Sequence, residues 1–188
     1  MKKEFIEIYD DVIPLSLQNY IENLCIYPGK FPWFYQDNMS GEKKDTTCGF
    51  SHILYTKFNP IKTSIDFIFN FLQIPYLFSN YLNLNIKDIY SQRLFLQTPS
   101  PSPRPIYEGI HIDLNVPHSV CLYYISDSDG DTIFFKDDMK TEIKRVSPKK
   151  GRIAFFSGNI PHCSSTPKEN TRIILNTTFS VEPFGEKK

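Results

Sequence analysis

From Gln92 onward the chain is cut into short apolar runs by turn formers, and that spacing dictates a β-rich core. Gln92-Arg93-Leu94-Phe95-Leu96-Gln97 is stopped by Pro99-Ser100-Pro101-Ser102-Pro103-Arg104-Pro105. Val120-Cys121-Leu122-Tyr123-Tyr124-Ile125 is followed by Asp129-Gly130, and then by Thr132-Ile133-Phe134-Phe135. Lys150-Gly151 precedes Ile153-Ala154-Phe155-Phe156, Gly158 and Pro161 make the next turn, and Arg172 opens Arg172-Ile173-Ile174-Leu175-Asn176. Short runs rich in β-branched and aromatic residues between such punctuation are strands. Asp-Gly between two of them predicts a hairpin turn. The C-terminal half therefore predicts about eight short strands, enough for two facing antiparallel sheets.

His111-Ile112-Asp113 stands at the head of this region, His162 follows the Gly158–Pro161 turn, and Arg172 lies ten residues beyond it. On an extended chain, residues two apart point the same way, so His111 and Asp113 share a face. A later histidine closes a triangle with them. Two imidazoles and one carboxylate hold one face of an octahedral ion and leave the opposite positions free, which suits Fe(II) and O2 activation. Arg172 can grip an acidic co-substrate through its planar fork. A lone His-x-Asp is weak evidence. With four histidines and twelve aspartates in the chain, chance supplies one in roughly a quarter of such sequences. The order His, Asp, His, Arg on successive strand ends is what raises it.

This run resembles the prolyl 4-hydroxylase-like branch of the Fe(II)/2-oxoglutarate oxygenases, and especially its small phage and marine-bacterial members. The resemblance covers roughly residues 90–180. It rests on His111-Ile112-Asp113, Leu122-Tyr123-Tyr124-Ile125-Ser126-Asp127, Asp129-Gly130-Asp131-Thr132-Ile133-Phe134-Phe135, Pro148-Lys149-Lys150-Gly151-Arg152, His162 and Arg172. Val12-Ile13-Pro14 and Phe31-Pro32-Trp33-Phe34-Tyr35 resemble the family's entry segments. The resemblance implies a double-stranded β-helix, a jelly roll, with iron held by His111, Asp113 and His162. It implies 2-oxoglutarate and O2 as co-substrates, with Arg172 on the distal carboxylate. It also points to Tyr124, favoured over Tyr123, and to Thr132 beside the co-substrate, although the run here is one glycine short of the family's Gly-Gly-Glu-Thr. For Tyr124 the competing reading is plain aromatic packing. Asn176 shares a strand face with Arg172 and Ile174 and is expected to line the pocket. Cys163 is expected to face away from the metal.

The N-terminal half reads as helical support, roughly residues 1–90, for a jelly-roll core over roughly 91–182. The whole is an α+β chain, with residues 1–188 forming one domain. Pro14 starts a helix through Tyr20, Ile21, Leu24 and Cys25. Ile61, Ile65, Ile68, Phe69 and Leu72 mark one face of a second. These helices, over Pro14–Leu24 and Ile61–Leu72, are expected to cover the larger sheet. Met1–Ile8 suggests an edge strand. The polar stretch 36–47 reads as a solvated connector or, alternatively, a lid over the iron. Asp127-Ser128-Asp129-Gly130-Asp131 lacks the EF-hand glycine and glutamate spacing and reads as a turn. His118 reads as a loop histidine, with substrate contact the lesser alternative, and His52 receives no role.

Equal numbers of basic and acidic residues, 21 of each, give no global field to recruit nucleic acid or an anionic membrane. Neither is expected as a partner. No signal-type or membrane-length apolar stretch is evident, and four scattered cysteines fit a reduced, cytoplasmic protein. The expected function is a dioxygenase hydroxylating a C–H bond. Its substrate is read as a prolyl residue in a peptide or protein, or a free amino acid or other small molecule. Two alternatives remain: an AlkB-like nucleic-acid demethylase, faintly suggested by Arg172–Phe179, and a cupin-like metal-binding module without catalysis.

Overall fold

The computed structural model describes residues 4–27, 29–39, 48–57, 65–101 and 109–182. In chain order the elements are β1 (Ile6–Tyr9), α1 (Leu15–Ile26), β2 (Phe34–Gln36), β3 (Gly49–Thr56), α2 (Ile65–Tyr81), β4 (Ile86–Gln97) and β5 (Ser119–Tyr124). They continue with β6 (Thr132–Phe135), β7 (Glu142–Val146), β8 (Ile153–Ser157), β9 (His162–Ser164) and β10 (Arg172–Val181). A seven-stranded antiparallel sheet runs β1-β8-β5-β10-β4-β3-β2, and a three-stranded sheet runs β7-β6-β9. The expected edge strand is β1, one residue pair at a time against β8. Among the described residues no helix is long and apolar enough to cross a membrane.

Strand alternation sorts the large sheet's side chains into two cores. Cys121, Tyr123 and Ile125, with Ile153, Phe155, Ile173, Leu175 and Phe179, face the helices and pack with Ile21, Cys25, Phe71, Ile74 and Phe78. The intervening residues Val120, Leu122, Tyr124, Ala154, Phe156 and Ile174 face the small sheet and meet Phe134 and Val146. The helices therefore cover the outer face of the large sheet, as their apolar stripes require, and the inner face is left to the jelly-roll interior.

Four local expectations are corrected. The segment read as helical support also supplies, besides the expected edge strand, β2 and β3 to the large sheet. The second helix does not end at Leu72 but runs to Tyr81 through Pro75. An internal proline costs about 3 kcal/mol. Burial of Phe71, Ile74 and Phe78, all sealed from solvent, offsets it at about 1.5–3 kcal/mol each. The same stripe corrects the expected helix face: Phe69 is 62% exposed. Ile61 lies outside the described residues.

The Asp129-Gly130 hairpin is the fourth correction. β5 pairs with β8 and β10, whereas β6 pairs with β7 and β9 in the other sheet. The chain between them is a crossover. Asp129 explains it, because its carboxylate accepts the backbone N–H groups of Lys168, Glu169 and Asn170 at 2.7–3.3 Å. Those bonds tie the crossover to the loop before β10. Gly130 is needed for close approach rather than for a turn, since a Cβ there would meet Arg172 Cδ and the Ser165 carbonyl, each at 3.1 Å. Asp127 caps the Lys150 N–H instead, and Asp131 faces Arg145. The three aspartates thus point at separate partners.

Gly151 is a position where glycine is conformationally required. Its φ is +81°, and an added Cβ would run into the amide of Gln18. Gln18 is buried and donates to the Ile13 carbonyl at 2.7 Å, so it has little room to yield. Gly151→Ala is expected to lower stability by about 2 kcal/mol, the sum of left-handed strain and a displaced hydrogen bond. Chemical denaturation of the two proteins checks this, with an unchanged midpoint counting against it.

Candidate functional site

His111 and His162 reach each other across a single antiparallel bridge. The His111 N–H donates to the His162 carbonyl at 3.0 Å, and the His162 N–H returns a bond of 2.9 Å. His111 is thus a bridge residue rather than part of a longer strand, and reciprocal pairing puts both imidazoles on one side. Their ring centroids are 4.8 Å apart. Asp113, two residues on, turns its carboxylate between them. His111 Nε2 lies 3.8 Å from Oδ1, and His162 Nε2 lies 3.7 Å from Oδ2. One donor atom from each of the three residues fits within 4.8 Å of the others.

The tautomers and charges suit a cation. His111 Nδ1 is 2.8 Å from the Gly109 carbonyl, and His162 Nδ1 is 3.0 Å from the Ile160 carbonyl. Each Nδ1 therefore carries the proton, leaving Nε2 lone pairs aimed at the centre. Burial pushes the His162 pKa down to about 4 despite Asp113 nearby, so the ring is neutral at neutral pH. Burial opposes ionisation of Asp113, but His162, His111 and the Asn176 amide outweigh it and hold its carboxyl below the ordinary value. Neutral imidazole and ionised carboxylate are the forms that bind metal. The donor set fits Fe(II), with three positions left for other ligands.

Asn176 sits on β10 with its amide nitrogen 3.2 and 3.3 Å from the two Asp113 oxygens. It lines the cavity, as expected, and its described contact orients the carboxylate. Deeper in, Arg172 is 4% exposed. Its Nε donates to the Gly130 carbonyl at 2.9 Å, Nη2 to Thr132 Oγ1 at 2.8 Å, and Nη1 to Gln97 Oε1 at 3.4 Å. Arg172, Thr132, Asn176 and the three metal-type donors line one cavity. Tyr124 stands behind them. Its hydroxyl donates to Thr132 Oγ1 at 2.7 Å, and its ring centre is 5.9 Å from Arg172 Cζ. Burial raises its pKa against the pull of Arg172 and Thr132, so it remains a neutral phenol.

Tyr123 faces the helix-side core, and Tyr124 faces the small sheet. Cys163 packs with Ile110, Ile133 and Phe135, outside the donor cluster. His52 is a core histidine, its Nδ1 2.7 Å from the Pro32 carbonyl and its ring against Phe31. His118 Nδ1 bonds the Val116 carbonyl at 2.7 Å. Residues 40–47 of the lid expectation lie outside the described residues, while Met39 lines the cavity. Sequence reasoning did not identify Arg93, Phe95 or Gln97 on β4 as cavity residues. Their alternation with Leu94 was a signal, but which face of that strand looks inward depends on pairing with β10.

The fold is that of the 2-oxoglutarate/Fe(II) oxygenases, in their prolyl 4-hydroxylase-like form. A prolyl-4-hydroxylase from Pseudomonas putida superposes with a TM-score of 0.61 at 14% identity, covering 96% of this chain and 95% of that one. A 2OG-Fe(II) oxygenase family oxidoreductase from Burkholderia pseudomallei gives 0.68 at 15% identity, covering 93% and 84%. The viral collagen prolyl hydroxylase of Paramecium bursaria Chlorella virus-1, in its 2OG complex, gives 0.55 at 15%, covering 95% and 97%. No family model and no curated protein matches the sequence.

Proposed function

We propose that this chain is an Fe(II)- and 2-oxoglutarate-dependent dioxygenase that hydroxylates a C–H bond. The carrying observation is that a 2-His-1-carboxylate triangle and a pinned, buried arginine open into the same cavity. His111, Asp113 and His162 would hold the iron. When bound, iron and 2-oxoglutarate supply O2 activation, releasing succinate and CO2 as hydroxyl is placed on the substrate. The chain's part is to bind, orient and keep out water. Arg172 would take the distal carboxylate of 2-oxoglutarate in a charge-assisted pair. Thr132 Oγ1 already accepts from Tyr124 and Arg172, so its own hydrogen is free to be donated into the cavity, toward that carboxylate. Tyr124 orients Thr132 from behind, and Asn176 orients Asp113.

Similarity to prolyl hydroxylase folds supports a prolyl residue in a peptide, or a free amino acid, as substrate. None of the four cysteines is bridged to another, which supports placement in the reducing cytoplasm. Anaerobic titration with Fe(II) and then 2-oxoglutarate tests the reading. A metal-to-ligand charge-transfer band is expected, followed in air by succinate release that rises with a prolyl peptide or free amino acid. Metal binding without the band would favour a non-catalytic module, and stimulation by a methylated oligonucleotide alone would favour a demethylase.

A further inference from the structure

The cavity holds a second guanidinium that the proposed chemistry leaves unused. Arg93 lies on β4, directly across from Asn176 on β10. It lines the same cavity as the three metal-type donors, beside Phe95. The residue is half-buried, but its Nε is sealed from water with no acceptor, and its side chain makes no hydrogen bond or ion pair with the described residues. A buried polar atom left unpaired is costly. Cationic groups are kept in such positions where a ligand completes them.

Position separates its role from that of Arg172. Arg172 stands across from Gln97, four residues along β4 from Arg93, or about 13 Å of strand. Asn176, opposite Arg93, holds Asp113. Arg93 therefore lies at the metal end of the cavity, and Arg172 at the far end, where the co-substrate's distal carboxylate would rest. One molecule of 2-oxoglutarate chelating iron and reaching Arg172 does not also occupy Arg93.

We propose that Arg93 anchors the substrate by a carboxylate, so that the enzyme acts on a free amino acid or on the C-terminal residue of a peptide. This rests on the oxygenase reading above. A single guanidinium beside neutral Phe95 and Asn176 matches one negative charge. A dianionic phosphate would carry one charge more than the Arg93 guanidinium balances.

The test uses the full chain loaded anaerobically with Fe(II) and 2-oxoglutarate, and paired probes: L-proline with L-prolinamide, and glycyl-L-proline with its amide. Inorganic phosphate is a third arm. Calorimetry reads binding independently of turnover, and thermal unfolding confirms that the variants fold. At least one acid is expected to bind about 10- to 100-fold more tightly than its amide, the ratio expected for losing a hydrogen bond to a charged group. Arg93→Gln should erase that difference, and Arg93→Lys should keep part of it. Both should leave 2-oxoglutarate affinity within a few-fold. Equal binding of acid and amide, no binding by either acid, or tighter binding of phosphate overturns the proposal. So does an Arg93→Gln variant that loses 2-oxoglutarate instead. A missing charge-transfer band in the wild type would count against the oxygenase reading, while calorimetry still judges Arg93.

Discussion

His111→Ala, Asp113→Ala and His162→Ala are each expected to abolish Fe(II) retention and turnover while the protein stays folded. Among the described residues the site offers three metal-type donors, and removing one leaves too few to hold the ion against water and chelators. The fold should survive because neither core is built on the triad. His162 is the costliest of the three. Its ring packs edge-on against Phe156 at 4.9 Å and is buried, so truncation to alanine leaves a cavity worth about 1–3 kcal/mol. His162→Gln fills more of that space and separates loss of metal from loss of packing. Metal content after dialysis and succinate formation are the readouts. If two of the alanine variants keep full 2-oxoglutarate decarboxylation, the assignment of the triad fails.

The triad was legible because its signal is local in sequence and its chemistry is narrow. His111 and Asp113 needed only extended geometry to share a face, and His162 and Arg172 stood at the ends of recognisable strands. Asp129-Gly130 shows where local reading stops. The dipeptide is a good hairpin signal, yet the flanking strands belong to different sheets, and a carboxylate reaching three N–H groups across the chain decides the path. The extension of α2 through Pro75 to Tyr81 was hidden for a similar reason, because burial of Phe71, Ile74 and Phe78 is a tertiary effect invisible to propensity. Arg93 was hidden most completely. An arginine in a strand is ordinarily a solvated residue, and only the pairing of β4 with β10 turns this one inward.

Arg172→Ala is expected to weaken 2-oxoglutarate about 30- to 1000-fold, from about 2–4 kcal/mol for a charge-assisted contact in a secluded pocket. Iron affinity without co-substrate should change little, since the described bonds of Arg172 go to Gly130, Thr132 and Gln97 and not to a metal-type donor. Those same bonds complicate the experiment. Truncation orphans the Gly130 carbonyl and removes one of the two donors on Thr132, so stability should also fall by about 1–3 kcal/mol. Affinity must therefore be measured well below the unfolding midpoint of the variant. Arg172→Lys keeps the charge but loses the fork, and should be milder in both respects. Thr132→Val tests the same contact from the other side: it removes the hydroxyl while sparing the charge, and should weaken 2-oxoglutarate by less than Arg172→Ala. Equal 2-oxoglutarate affinity in the wild type and Arg172→Ala would remove the co-substrate from this cavity, and a metal-only role for the triad would then be the better account.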